Sequence, residues 1–315
     1  MRPAFLRMTV LAGAVLAGGP AFAEPAFPPG SKIGLEPPAG FAVSETFRGF
    51  EDKQHGAAIL TLEMPPQAYA EIEKAMTSEA LRKQGIVVEK REQTPLRTGK
   101  AILLIARQQV DGNKLRKWIL LAATPVATAL ITVLVPDSAK AAYPDAVIRA
   151  ALQSLAVRES VPIDELIGLL PFKLDEFAGL RAFRVVPPGT LILTSGPKDT
   201  LDANEQALLV ISAAPGGPAE SFQRDNFARN LFTGFAGLKD VRVLGTDMIR
   251  LAGQQTHQLM AEAKDAKTDA DMKMVQWLRF GNGAFVRFLG IARADDWSDA
   301  FPRFRAVRDS VGPRQ

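Results

Sequence analysis

The apolar positions of this chain follow two spacings. Short runs rich in branched and aromatic side chains alternate with stretches where apolar residues recur every third or fourth position. The first spacing predicts strands and the second predicts helices. In the first half, strands are predicted near 41–48 and 57–63, then a helix near 67–84 carrying Ile72, Met76 and Leu81. Strands follow near 86–92, 101–110, 114–123 and 127–135, and Asp111-Gly112 between two of them is a type I′ hairpin signal. A last helix, capped by Asp137 or Ser138, carries Tyr143, Val147, Ile148, Ala151, Leu152 and Leu155. In the second half, a helix near 219–233 carries Phe222, Phe227 and Leu231, and a terminal helix near 296–311 carries Trp297, Phe301, Phe304, Val307 and Val311.

One run needs a decision. Ile119 to Val135 is seventeen residues without a charge, and its hydropathy alone would suggest a membrane span. It is shorter than the roughly 20 residues a spanning helix needs. Thr124-Pro125 interrupts it, and it is rich in β-branched residues, which suit buried strands. Two strands turning at Thr124-Pro125 are therefore expected.

The same order of signals occurs twice, which is how tandem domains appear in sequence. Ala57 to Leu62 precedes Pro65-Pro66 and a helical pattern stopping at Gly85; Gln206 to Ile211 precedes Pro215 and a helical pattern stopping at Gly234. Leu96-Arg97-Thr98-Gly99 matches Arg250-Leu251-Ala252-Gly253, and Lys117-Trp118-Ile119-Leu120 matches Gln276-Trp277-Leu278-Arg279. Tyr143-Pro144 and Phe301-Pro302 are each expected to open a terminal helix. The partner of the apolar run, Leu278 to Ala292, contains Arg279, Arg287 and a Gly281-Asn282-Gly283 hairpin signal, so it cannot lie in lipid. Arg158 to Val161 forms a short polar link into Pro162–Leu170, a small amphipathic helix opened by proline. The expected domains are 24–160 and 161–315, after a leader at 1–23. Strands joined by tight hairpins are antiparallel, so the expected fold class is α+β: two tandem layered domains, each a mostly antiparallel sheet with flanking helices.

Glu36-Pro37-Pro38-Ala39-Gly40-Phe41, a proline-rich step into the first strand, resembles the opening of Mog1/PsbP-like domains, and the order of elements in both halves is similar to that fold. The second half reads Leu170-Pro171-Phe172 in place of this motif. The chain is also similar to exported bacterial proteins with a Gly-Phe-x-x-Ser and Gly-Phe-Glu-Asp opening, here Gly40 to Ser44 and Gly49 to Asp52. The resemblance implies a scaffold for binding a protein or a small partner, since the fold serves mostly as an accessory module.

Composition removes several chemistries. Cysteine is absent, which excludes thiol catalysis, disulfides and zinc–thiolate sites. Lys and Arg number 38 against 34 Asp and Glu; without Arg2 and Arg7 of the leader the balance is 36 − 34 = +2. That is too even for neutralising a nucleic-acid backbone. Arg2 and Arg7, the apolar stretch Met8–Leu16 and Ala21-Phe22-Ala23 form a secretory signal with cleavage expected after Ala23, giving a periplasmic protein with no membrane span in the mature chain.

Candidate chemistry is sparse. There is no G-x-S-x-G elbow, H-E-x-x-H helix or Walker loop. Thr194-Ser195-Gly196 reads as a strand-ending turn. His55 sits in the polar hairpin Asp52 to Gly56 and reads as a solvated turn residue; His257 reads as a cross-strand histidine, with no counterpart in the other half. Glu51 and Asp52, adjacent on a strand, would face opposite sides. Glu262, Asp265, Asp269 and Asp271 are interleaved with Lys264, Lys267 and Lys273, which reads as a solvated charged loop and not a calcium site. No catalytic, cofactor or metal residue is therefore assigned, and no cofactor is expected. The expected function is a non-catalytic periplasmic binding or accessory protein, with a protein or small ligand as partner. The cleft between the halves is its expected site. The alternative is a histidine-independent hydrolase using carboxylates, such as a glycan-cleaving enzyme, which would need two acids at one pocket.

Overall fold

The computed structural model describes residues 24–232, 235–251, 253–281 and 283–314. The leader at 1–23, the helix stop at Gly234, Ala252 of the turn match and Asn282 of the hairpin signal lie outside the described residues. The chain divides into two compact units between Glu159 and Ser160.

The first unit runs β1 (Ile33–Gly34), β2 (Ala42–Val43), β3 (Gly49–Asp52), β4 (Ala57–Met64), α1 (Tyr69–Ala75), α2 (Ser78–Lys83), β5 (Ile86–Gln93), β6 (Ala101–Val110), β7 (Asn113–Ala123), β8 (Thr128–Pro136), α3 (Asp145–Gln153) and β9 (Ala156–Val157). Its seven-stranded antiparallel sheet has the order β2-β3-β4-β8-β7-β6-β5, and β1 pairs with β9. The second unit runs α4 (Ile163–Ile167), β10 (Phe172–Leu174), β11 (Arg181–Val186), β12 (Thr190–Thr194), β13 (Leu208–Pro215), α5 (Arg224–Leu231), β14 (Leu238–Leu251), β15 (Gln254–Asp265), β16 (Asp271–Gly281), β17 (Ala284–Arg293), α6 (Trp297–Ser310) and β18 (Val311–Pro313). Its sheet order, β11-β12-β13-β17-β16-β15-β14, repeats the first, and β10 pairs with β18 as β1 pairs with β9. Both units are α+β layered domains.

The apolar run is the β7–β8 hairpin. Its alternating side chains enter two cores, Trp118, Leu120, Ile131 and Val133 on one face and Ile119, Leu121 and Leu130 on the other. A strand covered on both faces has no polar side to display, which accounts for the run's uninterrupted hydropathy. Among the described residues no helix is long and apolar enough to cross a membrane. At the β6–β7 turn Asp111 and Gly112 both have positive φ, 49° and 81°, as a type I′ turn demands.

Register fixes which residues correspond. Trp118 and Trp277 are fully buried, and each pairs across its hairpin, with Val133 and Phe288 respectively. Val133 and Phe288 pair onward with Ile59 and Ile211. Ile59 therefore corresponds to Ile211, three residues away from the alignment that Pro66 and Pro215 suggest. Pro66 opens a helical turn, whereas Pro215 still belongs to β13. Similarly, Pro144 caps α3, but Phe301-Pro302 lies inside α6, which starts earlier at Trp297.

Three further elements differ from the sequence expectation. The last helix of the first unit is not capped by Asp137 or Ser138: Asp137–Ala139 form a separate 3-10 turn, and α3 begins at Asp145 behind Pro144. The single helix expected at 67–84 is two, because Met76 leaves the helical region and Thr77 restarts it, its side chain accepting the Ala80 amide at 3.1 Å. The strand expected at 41–48 is interrupted, and the pairing is carried by β3. Gly49 is the reason β3 can lie against β4: its φ is 147°, and a Cβ there would sit 1.9 Å from the Ile59 carbonyl oxygen. Gly49→Ala is expected to lower unfolding free energy by at least about 2 kcal/mol, from strain plus overpacking. Gly56→Ala, at φ 65° with its nearest neighbour at 3.7 Å, should cost only about 1 kcal/mol. Chemical denaturation of the two variants checks the order.

Candidate functional site

The two histidines, read in sequence as a solvated turn residue and a cross-strand residue, each meet an aspartate. In the first unit, the β3–β4 turn folds His55 back so that Nδ1 lies 2.5 Å from Oδ2 of Asp52. The amides of Gln54 and His55 donate to Asp52 Oδ1 at 2.9 and 3.3 Å. Tyr143, just ahead of α3, donates its hydroxyl to Asp52 Oδ2 and also lies 3.2 Å from the Ala39 carbonyl. Phe41 packs edge-on against the Tyr143 ring with centroids 5.0 Å apart. Gly40, at φ 94°, passes so close that a Cβ would come within 2.8 Å of the Tyr143 oxygen. The Pro-x-Gly-Phe step and the Gly-Phe-Glu-Asp step thus meet at one tyrosine.

The electrostatics follow from these contacts. Donation from Tyr143, followed by His55 and the two amides, holds Asp52 down to about 2 despite its burial. Burial, reinforced by Asp52, pushes Tyr143 up to about 12. Asp52 is thereby a fixed anion and Tyr143 a fixed donor. A phenol so reluctant to ionise is a poor nucleophile, so the cluster acts as a lock between the β3–β4 hairpin and the entry to α3. His55 is not fully solvated as expected: its ring packs on Tyr143 at 5.7 Å, with its side chain 38% exposed.

In the second unit, His257 on β15 is 2% exposed and lies under α5, with Nε2 3.0 Å from Oδ1 of Asp225. Arg229, one helical turn on, donates to the same carboxylate at 2.8 Å, and it is the main cause of the lowered Asp225 pKa. Nδ1 of His257 is buried with no hydrogen-bond partner. This pair ties a helix to a sheet. Ser195 accepts the Ala207 amide at 3.0 Å, as a strand-ending turn does.

The acidic hairpin is neutralised mainly from the neighbouring β14 and, for Asp271, from within. Glu262 pairs with Arg242 at 2.6 Å, Asp269 with Lys239 at 2.8 Å and Asp271 with Lys264 at 2.8 Å. Asp265 is not solvated: it is 5% exposed and accepts from Lys267, Thr268 and the Thr268 hydroxyl. Among the described residues no group of three or more His, Asp or Glu converges as a metal-ligand set.

What the sequence reading missed is a surface. β14 is the outer strand of its sheet, paired only with β15. Val241, Val243, Leu244 and Met248 on it are 41, 38, 51 and 49% exposed. The corresponding outer strand, β5, carries Glu89, Lys90, Arg91 and Glu92, as β14 carries Lys239, Asp240, Arg242, Asp247 and Arg250, but its Ile86 is packed with Leu81 of α2. Among the described residues the second unit has no helix between α5 and β14 to do the same. Bulges disturb β14 up to Gly245, after which Gly245 to Leu251 pair without interruption.

No family model matches the chain, and no curated protein matches it. Among solved structures, it is similar to the apo immunity protein TplEi of the type VI secretion system of Pseudomonas aeruginosa, at 12% identity and TM-score 0.30, covering 93% of this chain and 98% of that one. It is similar to the cyanobacterial PsbP (CyanoP) of Synechocystis sp. PCC 6803, at 11% identity and TM-score 0.29, over 47% of this chain and 95% of that one. It is also similar to protein PA94 of Pseudomonas aeruginosa, at 17% identity and TM-score 0.31, over 43% of this chain and 98% of that one.

The Asp52–Tyr143 lock sets a pH dependence. A lowered carboxylate pKa stabilises the fold above the unfolded value near 3.8, and this is lost as pH falls towards 2. A raised tyrosine pKa stabilises it below the unfolded value near 10, and this is lost as pH rises towards 12. Thermal melts across pH should show stability falling at both limits. Tyr143→Phe should flatten the alkaline limb and shrink the acid one; an unchanged profile would contradict the lock.

Proposed function

We propose that this chain is a non-catalytic binding protein, exported to the periplasm, whose second unit takes an extended segment of a partner protein along β14. The observation that carries the reading is the unpaired edge of β14. An outer strand offers a row of backbone donors and acceptors, and proteins that do not use it normally blunt it with charge or cover. Both outer strands carry charges, but β5 has Ile86 covered by α2, while the Gly245–Leu251 ladder of β14 is regular, contains exposed Met248 and follows exposed Leu244. Strand addition supplies affinity through the main chain and specificity through alternate side chains. The His–Asp pairs are spent on packing, which supports a binding role over a hydrolytic one. The cationic and apolar residues of the leader support export.

Leu244→Lys with Met248→Lys should leave stability within about 0.5 kcal/mol, since both side chains are exposed. The partner recovered from periplasmic extract should protect the 245–251 amides from hydrogen exchange in the wild type, and the double variant should bind it at least tenfold more weakly. Retained affinity, or self-association of the wild type through the same amides, would overturn the partner reading. Replacing His55 and His257 together by Gln should preserve complementation of a deletion strain wherever the variant still folds. Loss of function in a folded, exported double variant would restore the enzyme reading.

A further inference from the structure

A second, independent feature lies on the opposite side of the second sheet. Strand register places Arg279 where the first unit has Leu120, Thr256 where it has Leu103, and Val286 where it has Ile131. In the first unit these three positions are apolar and at most 1% exposed. In the second, two of the three have become polar, and they are direct cross-strand partners.

Neither polar group is fully satisfied. Thr256 is completely buried, and its hydroxyl has no hydrogen-bond partner. Arg279 is half-buried and donates to the Val311 carbonyl at 2.7 Å and the Arg308 carbonyl at 3.1 Å. Those bonds cap the end of α6 and use two of the five donors of a guanidinium; Nε has no partner. Among the described residues the charge meets no carboxylate in an ion pair, and the guanidinium carbon lies over the Phe288 ring, 5.5 Å from its centroid. The nearest ions, Arg308 and Asp309, are paired with each other at 2.8 Å and act on Arg279 in opposite directions. Capping alone does not explain the choice, because a half-buried cation held by two carbonyls and an aromatic face is still costlier than the leucine that serves the same position in the first unit.

Arg279 lines a cavity of about 220 Å³, whose wall includes Phe172, Ala213, Gln254, Val286 and Val311. The wall is mostly apolar, with one cation and one amide. We propose that the second unit binds a small apolar carboxylate in this cavity, its head on the Arg279 guanidinium and its body against Phe172, Val286 and Val311. Nε is sealed, so a carboxylate would meet the second hydrogens of Nη1 and Nη2, which it matches in charge.

The test titrates the full chain with hexanoate and benzoate, and with hexanol as the uncharged control, following amide resonances and melting temperature. The expected result is saturable shifts at Val286, Val311 and Gly312 with the acids, a rise in melting temperature, and at least tenfold weaker binding of hexanol. Arg279→Leu, which installs the residue of the first unit, should fold and lose at least tenfold in acid affinity. No saturable shifts with either acid, equal binding of hexanol, or undiminished binding to the leucine variant would each overturn the proposal. Should Arg279→Leu fail to fold, the acid-against-alcohol contrast in the wild type decides alone.

Discussion

Two central hairpins, β7–β8 and β16–β17, are covered on both faces, and the rest of each unit is arranged around that burial. Each carries one fully buried tryptophan. An indole brings a large apolar area but one N–H that must be satisfied. The first unit meets this demand through Asp145 at the start of α3, with Trp118 Nε1 at 2.7 Å, and so fixes the helix to the sheet. The second meets it within the sheet, through Gln258 at 2.8 Å, and leaves α6 to pack by aromatic stacking of Phe301 on Trp277. The same constraint is solved twice with different side chains, and the helix on that face is held differently as a result.

A duplicated scaffold lets each unit serve as a control for the other. Where the two agree, in sheet order and in the tryptophan positions, the cause is folding. Where they differ at matched register, folding alone does not require the difference. β5 against β14 and Leu120 against Arg279 are two such places. Both departures occur in the second unit, and both exchange a locally safer choice for an exposed or unsatisfied one. Local conflicts of this kind concentrate where a protein binds something.

Much of the fold was legible because its signals are local. The two-period pattern located nearly every strand of the first sheet, and Asp111-Gly112 announced its turn. The apolar run resolved correctly because β-branching and Thr124-Pro125 speak against a helix. The repeat was legible, but its early register was off by three, since proline marks breaks without saying on which side of a strand end they fall. The helix at 67–84 hid its break because Thr77-Ser78 fits a helix interior and a cap equally well in sequence. The site was less legible. Asp52 and His55 are three residues apart, so their contact could be suspected from the turn. Asp225 and His257 are brought together only by tertiary packing. The open edge of β14 depends on sheet order and on the absence of a covering helix, neither of which hydropathy records. Arg279 was visible all along, facing Leu120 in the aligned Trp-containing segments, but its meaning depends on which side of the sheet it occupies.

The central claim is that the second unit departs from the shared core for binding and not for folding. Reciprocal exchange at the matched position tests it most directly. Denaturation midpoints of Leu120→Arg and Arg279→Leu would be measured against the wild type. A buried leucine replaced by an unpaired cation should destabilise severely, while a half-buried cation replaced by leucine should leave the midpoint unchanged or raise it. A fall with Arg279→Leu comparable to that with Leu120→Arg would show that the guanidinium is needed to hold α6, and the account would then fail.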